Sequence, residues 1–330
     1  MLLAGNERKP PRVCPAGLPS PVPAGSRLFT AALTHTHVPR NAGRPPAVGA
    51  GVAARRLPVV DLRRAADRAC TRTDWLDSRH SFAFGQHYDP TNTSYGVLLA
   101  HNEDVVRAGA GFDDHHHREV EIVTWVLRGA LVHRDATGHR GVVRPGVVQR
   151  MSAGSGVVHS ERNDAGRRDP ECDAEDDLHL VQMWIAPDSA GGDPDYEQGE
   201  LDDAALRGGL VAVASGRADR DAAVRIGNRD AVLLAARLEP GQSVALPDAP
   251  FLHLFVAAGA VDVAGGALDV RGGSVDLTGG AVGDVVALRA GNAVELRAGD
   301  AVRLTGAGGP VVTATAQAEV LVWEMYATLG

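Results

Sequence analysis

Two short pairs of side chains constrain this chain more than anything else in it. His115 and His117 form one pair, and His159 and Glu161 the other, each at spacing i, i+2. Successive side chains of a β-strand point to opposite faces, so residues i and i+2 share a face. On two neighbouring strands the pairs would bring four donors to one side and close a four-ligand site. The flanking residues favour strands. Ile122, Val123, Thr124, Trp125, Val126 and Leu127 make a β-branched and aromatic run that stops at Gly129. Val142, Val143, Val147 and Val148 surround Arg144-Pro145-Gly146, where proline presets φ and glycine accepts a positive one. The light run Ser152 to Gly156 lets the chain pass close to its surroundings just before His159.

Three imidazoles and one carboxylate suit iron, zinc, copper, nickel or manganese. A metal that accepts six ligands would keep two positions for other molecules. Strand alternation turns His116 away from the site. A solvated turn is the plainer reading of three adjacent histidines, and a strand-end hydrogen-bond pair that of His159 and Glu161. The agreement of two pairs with intervening strands favours ligation over both. His133 and His139 flank the turn from Asp135 to Gly138 and are expected at the surface. His179 and His253 are expected in a core or at a rim. Nothing in the second half pairs donors in this way, so a second barrel is expected to be metal-free.

A chain of 330 residues has room for two domains. Thirty-nine glycines favour tight turns over long helices. A net charge of −8 argues against a nucleic-acid surface. Cys14, Cys70 and Cys172 are odd in number and far apart, which suggests a reducing cytoplasm and neither a disulfide framework nor a zinc knuckle. No apolar run approaches the ~20 residues of a membrane span.

Residues 1–58 carry ten of the 19 prolines and no acidic residue after Glu7, and are expected to be a disordered Pro/Ala/Arg-rich extension. Residues 59–190 are expected to form a first, metal-binding barrel. Within it Trp75, Phe82, Phe84 and Tyr88 would cap one end, and Asn102 to Asp104 would be a turn between strands. Leu178 to Ile185 alternates as a strand, and Ser189 to Gly199 has linker composition. Residues 191–330 are expected to form a second barrel, with strands at Val211–Val213, Val224–Ile226, Ala231–Leu238, Phe251–Val256 and Val320–Trp323. A Gly-rich insertion is expected at about 259–309. In it ALRAGNAV (287–294) is followed directly by ELRAGDAV (295–302), which suggests a duplicated hairpin arm or a barrel insertion.

The spacing Gly109, His115-x-His117, Glu121 and Gly129 resembles the first cupin motif. Gly154-Ser-Gly156, His159 and Asn163 resemble the end of the second. More narrowly, HHHREVEIVTWVLRGALVHRDATG followed by RPGVVQRMSAGSGVVHSE is similar to the signature of the pirins, in particular the bacterial pirin-like bicupins. Trp75 to Phe84 and Tyr88-Asp-Pro90 fit the same branch, and the resemblance runs from about Val59 to Ala186. One departure is the acids and histidine around the first pair, where Pro and Gly are usual. The resemblance implies an all-β fold of two tandem cupin (jelly-roll) barrels. It also implies one divalent metal, iron(II) first among the candidates, on His115, His117, His159 and Glu161. Glu121 would stand behind a ligand, orienting its imidazole. The implied activity is quercetin 2,3-dioxygenation, with a small aromatic substrate, dioxygen, and Glu161 as the catalytic carboxylate that takes the flavonol's 3-hydroxyl proton. Val123, Trp125, Met151 and Trp184 would then suit a flat ligand, although barrel core is the plainer reading of at least two of them. Eukaryotic pirins imply the alternative of a non-catalytic metal-binding regulator with a protein partner.

Overall fold

Strand-forming runs separated by turn residues give a structure built almost wholly from sheets. The computed structural model describes residues 59–164, 176–265 and 293–329, with the backbone of 276–277. The expected extension at 1–58 lies outside the described residues. Two barrels follow one another, each a large sheet packed on a four-stranded one. The all-β, two-barrel expectation holds. The α-helix Asp203–Gly208 lies between them, with Asp202 capping it by accepting from the Ala204 amide. No helix among the described residues is long and apolar enough to cross a membrane.

In the first barrel, the four-stranded sheet runs Gly111–His117, Val157–Arg162, Leu131–Asp135, Arg140–Val143. Facing it is a seven-stranded sheet whose centre is Val147–Ser152, Glu121–Arg128, Leu178–Ile185 and Leu98–Val106. Alternation along Leu178–Ile185 decides what each face meets. Leu178, Leu180 and Trp184 pack inside the first barrel, whereas Val181, Met183 and Ile185 are buried against the second. Indole nitrogens tie the two barrels: Trp125 Nε1 donates to Glu319 at 2.6 Å and Trp323 Nε1 points at Met183 Sδ at 3.2 Å.

Several expectations need correction. Asn102 to Asp104 is not a turn but the middle of Leu98–Val106, because its polar side chains find buried partners, as Asn102 Oδ1 does in His80 Nδ1 at 3.0 Å. The hydrogen bonding does not divide the chain at 190/191. Asp195–Glu200, expected as linker, pairs with Val147–Ser152 and completes the first barrel's large sheet. Val59–Arg63 pairs with Ala301–Thr305 and places Val60 in the second barrel's core. The aromatic cap is dispersed: Phe82 lies between the barrels, Phe84 meets Trp184, and Tyr88 is 74% exposed.

The Gly-rich insertion is narrower than 259–309, since Ala260–Ala264, Val294–Arg297 and Ala301–Thr305 are regular barrel strands. Residues 287–292 of the repeat lie outside the described residues. Its second unit is a corner, not a hairpin arm: Val294–Arg297 belongs to the four-stranded sheet and Ala301–Thr305 to the eight-stranded one. Gly299 makes that corner at φ 85°, a conformation L side chains rarely adopt.

Candidate metal centre

Antiparallel pairing of Gly111–His117 with Val157–Arg162 sets His159 opposite His115 and Val157 opposite His117. A register shift between His159 and Glu161 then places Glu161 opposite Phe112. The sequence between these strands supplies the approach. Gly154 takes φ 50° where a Cβ would meet Gly192 O at 2.6 Å, so the run before His159 needs glycine there.

The donor atoms of His115, His117 and His159 lie within 4.8 Å of one another. His115 Nδ1 stands 2.8 Å from Asp113 O; a carbonyl can only accept, so Nδ1 carries the proton and Nε2 the lone pair. His159 is 1% exposed and its Nε2 is buried without a hydrogen-bond partner. Burial holds the His159 imidazole down at about 2 and that of His117 at about 3, and the neighbouring imidazoles add to both. Both are therefore neutral near pH 7, the form that binds a metal.

Glu161 is 3% exposed and shares a second cluster with His159 and His133, again with donor atoms within 4.8 Å. Its partners are two amides: Gln149 Nε2 donates to Oε1 at 3.3 Å and Gln182 Nε2 to Oε2 at 2.7 Å. Among the described residues no arginine forms an ion pair with it. A buried carboxylate without a cation is costly. The orphaned imidazole nitrogen, the carboxylate without a cation and the neutral imidazoles of His117 and His159 together fit a divalent cation.

His133 is the largest departure from the sequence reading. Expected at the surface, it is fully buried, because Leu131–Asp135 pairs with Val157–Arg162 and sets His133 opposite Glu161. Its Nδ1 lies 3.4 Å from His159 Nδ1, its Nε2 lies 3.4 Å from Asp135 Oδ2, and Tyr196 stacks on its ring at 4.5 Å. Burial raises the Asp135 carboxyl, but hydrogen bonds from Thr137, the His139 backbone and both histidines outweigh it and bring it to about 2. The alternation Leu131-x-His133-x-Asp135 could have placed His133 inside; the polar turn beyond it hid the signal. Gln149 and Gln182 left none, since a lone amide has no diagnostic spacing.

The remaining candidates sort by face. His116 is exposed. His139 bonds Asp135 at the rim, His179 bonds Glu103 at 3.0 Å, and His253 is fully buried between the barrels. Glu121 does not orient an imidazole: it accepts from Ser152 Oγ at 2.8 Å and from the Gly227 amide at 3.0 Å, beside a 250 Å³ cleft between the barrels. Val123 and Trp125 face the second barrel, so they cannot line a pocket at the metal. Met151 and Trp184 are on the metal's side, and Trp184 meets the His117 ring edge-on at 4.9 Å.

Comparison with known proteins adds an independent line. The Pirin family model matches residues 63–185. A Mycobacterium tuberculosis (strain H37Rv) protein, named provisionally as a quercetin 2,3-dioxygenase, is 49% identical over 82% of this chain and 97% of its own length. The Escherichia coli K12 protein named quercetin 2,3-dioxygenase is 40% identical over 44% of this chain and 59% of its own. Among solved structures, the bacterial pirin YhhW from Escherichia coli in complex with nickel(II) superposes with a TM-score of 0.64 at 27% identity. It covers 82% of this chain and all of that one.

Proposed function

The chain belongs to the pirin family, and we propose that it is a metal-dependent dioxygenase acting on quercetin or a related flavonol. The observation that carries this reading is Glu161, a buried carboxylate with no cationic partner among the described residues, clustered with His133 and with His159, which it shares with the His115–His117 group. His115, His117, His159 and Glu161 would hold the metal, for which we propose iron(II). The relatives named for quercetin dioxygenation and the nickel-bound neighbour support the activity and leave the identity of the metal to this proposal.

A bound metal would supply Lewis acidity toward a phenolic oxygen and a link between substrate and dioxygen. The chain's own residues supply the rest. His115 and His117 are half-buried whereas His159 and Glu161 are buried, so a ligand would arrive from the His115–His117 side. Trp184, half-buried against His117, offers an aromatic edge to a flat ring. Glu161 would take the 3-hydroxyl proton on a carboxylate oxygen, since each oxygen accepts one amide N–H and keeps a further lone pair.

The test uses the full chain. Bound metals are quantified, the protein is reconstituted with iron(II), and quercetin loss is followed together with oxygen uptake. Coupled consumption that Glu161→Ala and His115→Ala both abolish is the expected result. Stoichiometric metal without turnover would contradict the enzyme reading and favour the regulator.

A further inference from the structure

We propose that Gln149 and Gln182 are positioning residues that hold Glu161 in the orientation the metal needs, and that Trp184 fixes the direction of the Gln182 amide. The inference rests on the metal-centre reading above and deepens it.

Glu161 comes from the four-stranded sheet, and both glutamines reach it from the seven-stranded sheet across the barrel. One amide serves each carboxylate oxygen, Gln149 on Oε1 and Gln182 on Oε2. An amide alone does not guarantee this. It carries an acceptor and a donor on the same end and could turn its oxygen toward Glu161, where two acceptors would face each other. At Gln182 the second partner prevents that. Trp184 Nε1 lies 3.0 Å from Gln182 Oε1, and an indole N–H can only donate. Gln182 must therefore turn its oxygen to Trp184 and its NH₂ to Glu161. The Tyr196 hydroxyl lies 3.1 Å from Gln149 Oε1; a hydroxyl can donate or accept, so it anchors Gln149 without by itself setting the sense of that amide.

The chain Tyr196–Gln149–Glu161–Gln182–Trp184 is thus hydrogen-bonded from end to end, and on the Gln182 arm the indole sets its direction. Gln149 is fully buried and Gln182 is 9% exposed, so neither has water as an easy substitute. Both anchors also touch imidazoles. Trp184 stands against His117, and Tyr196 stacks on His133, whose Nδ1 faces His159. Trp184 therefore links a ligand at one end of the donor set to the carboxylate at the other. Outer partners that orient metal ligands typically contribute about 10–100-fold in affinity.

A plainer role is that the glutamines fill the barrel and satisfy a buried carboxylate, in which case Trp184's N–H should not matter to the metal. Three variants of the full chain separate the two: Gln182→Leu, Trp184→Phe and the double variant. Trp184→Phe keeps an aromatic ring at this position and removes the N–H together with part of the indole. Cobalt(II) is the probe. Its affinity is measured by chelator competition, its coordination by visible absorption, and the metal-free fold by thermal unfolding. Gln182→Leu should weaken cobalt(II) binding about 10–100-fold and shift the visible bands. Trp184→Phe should cause a smaller loss in a protein that still folds, and no further loss once Gln182 is gone, because it acts through that amide.

Unchanged affinity in Trp184→Phe, or losses that multiply in the double variant, would overturn the proposal. If Gln182→Leu does not fold, Trp184→Phe alone decides, since its affinity must fall while its fold is intact. A wild-type protein that binds no cobalt(II) would overturn the metal centre and the clamp with it. Wild-type binding with unaltered variants would overturn the clamp alone.

Discussion

The two barrels share an architecture and differ in what fills them. Inside the second, Leu234, Leu252, Leu254, Val302, Leu304 and Val322 belong to one continuous aliphatic cluster. Inside the first, two small apolar clusters stand at either side of buried Gln149, His133, His159, Glu161 and Gln182. The same inward-facing strand positions serve packing in one barrel and ligation in the other. Burying apolar side chains stabilises a barrel outright, whereas buried imidazoles and a carboxylate repay their desolvation only when partnered. The second barrel and the shared interface should therefore carry the stability that the first gives up for its site.

The largest effect that would break this contrast lies in the second barrel. Leu254→Ala should cost about 3–5 kcal/mol in denaturant unfolding while metal stoichiometry stays at wild-type level. A variant that lost metal as well would show that the barrels do not divide the labour. Next in size, His159→Ala should weaken metal binding by at least about 100-fold, or roughly 2.7 kcal/mol, measured by chelator competition. Its metal-free midpoint should fall less than that of Leu254→Ala, because removing a buried unpartnered nitrogen offsets part of the cavity the ring leaves.

A third prediction probes the seam between the barrels. Burial, with Arg68 next, holds His101 down at about 3, and burial together with His101 and Arg303 holds His253 well below its ordinary value. The rings touch at 5.0 Å and neither has a hydrogen-bond partner for its nitrogens. The unfolded chain takes up these protons first. Stability is therefore full above about pH 6.5 and falls below it, by about 1.4 kcal/mol per pH unit for each imidazole until its folded value is reached. Urea unfolding at pH 7 and pH 5 should show a shallower loss in His101→Leu than in wild type. Equal slopes would remove His101 from the account.

Much of this contrast was legible in the sequence. The i, i+2 pairs, the valine runs and Gly154 gave the strands and three of the clustered imidazoles, because strand periodicity is local. What escaped depends on pairing between distant segments. His133 is inside because Leu131–Asp135 lies opposite Val157–Arg162. Trp125 faces the second barrel because a sheet covered on both faces reads as a continuous apolar run and does not reveal which side holds the site. Glu121 was given to an imidazole by analogy, but Gly227, more than one hundred residues later, brings its amide to it. The corner at Gly299 looked like a hairpin because both connections use the same turn residues.

The most direct test of the central claim is anomalous diffraction from crystals of the metal-loaded full chain, collected above and below the metal's absorption edge. The account predicts one peak among His115, His117, His159 and Glu161, and none inside the second barrel. A peak elsewhere, or none in a protein that analysis shows to be loaded, would contradict it.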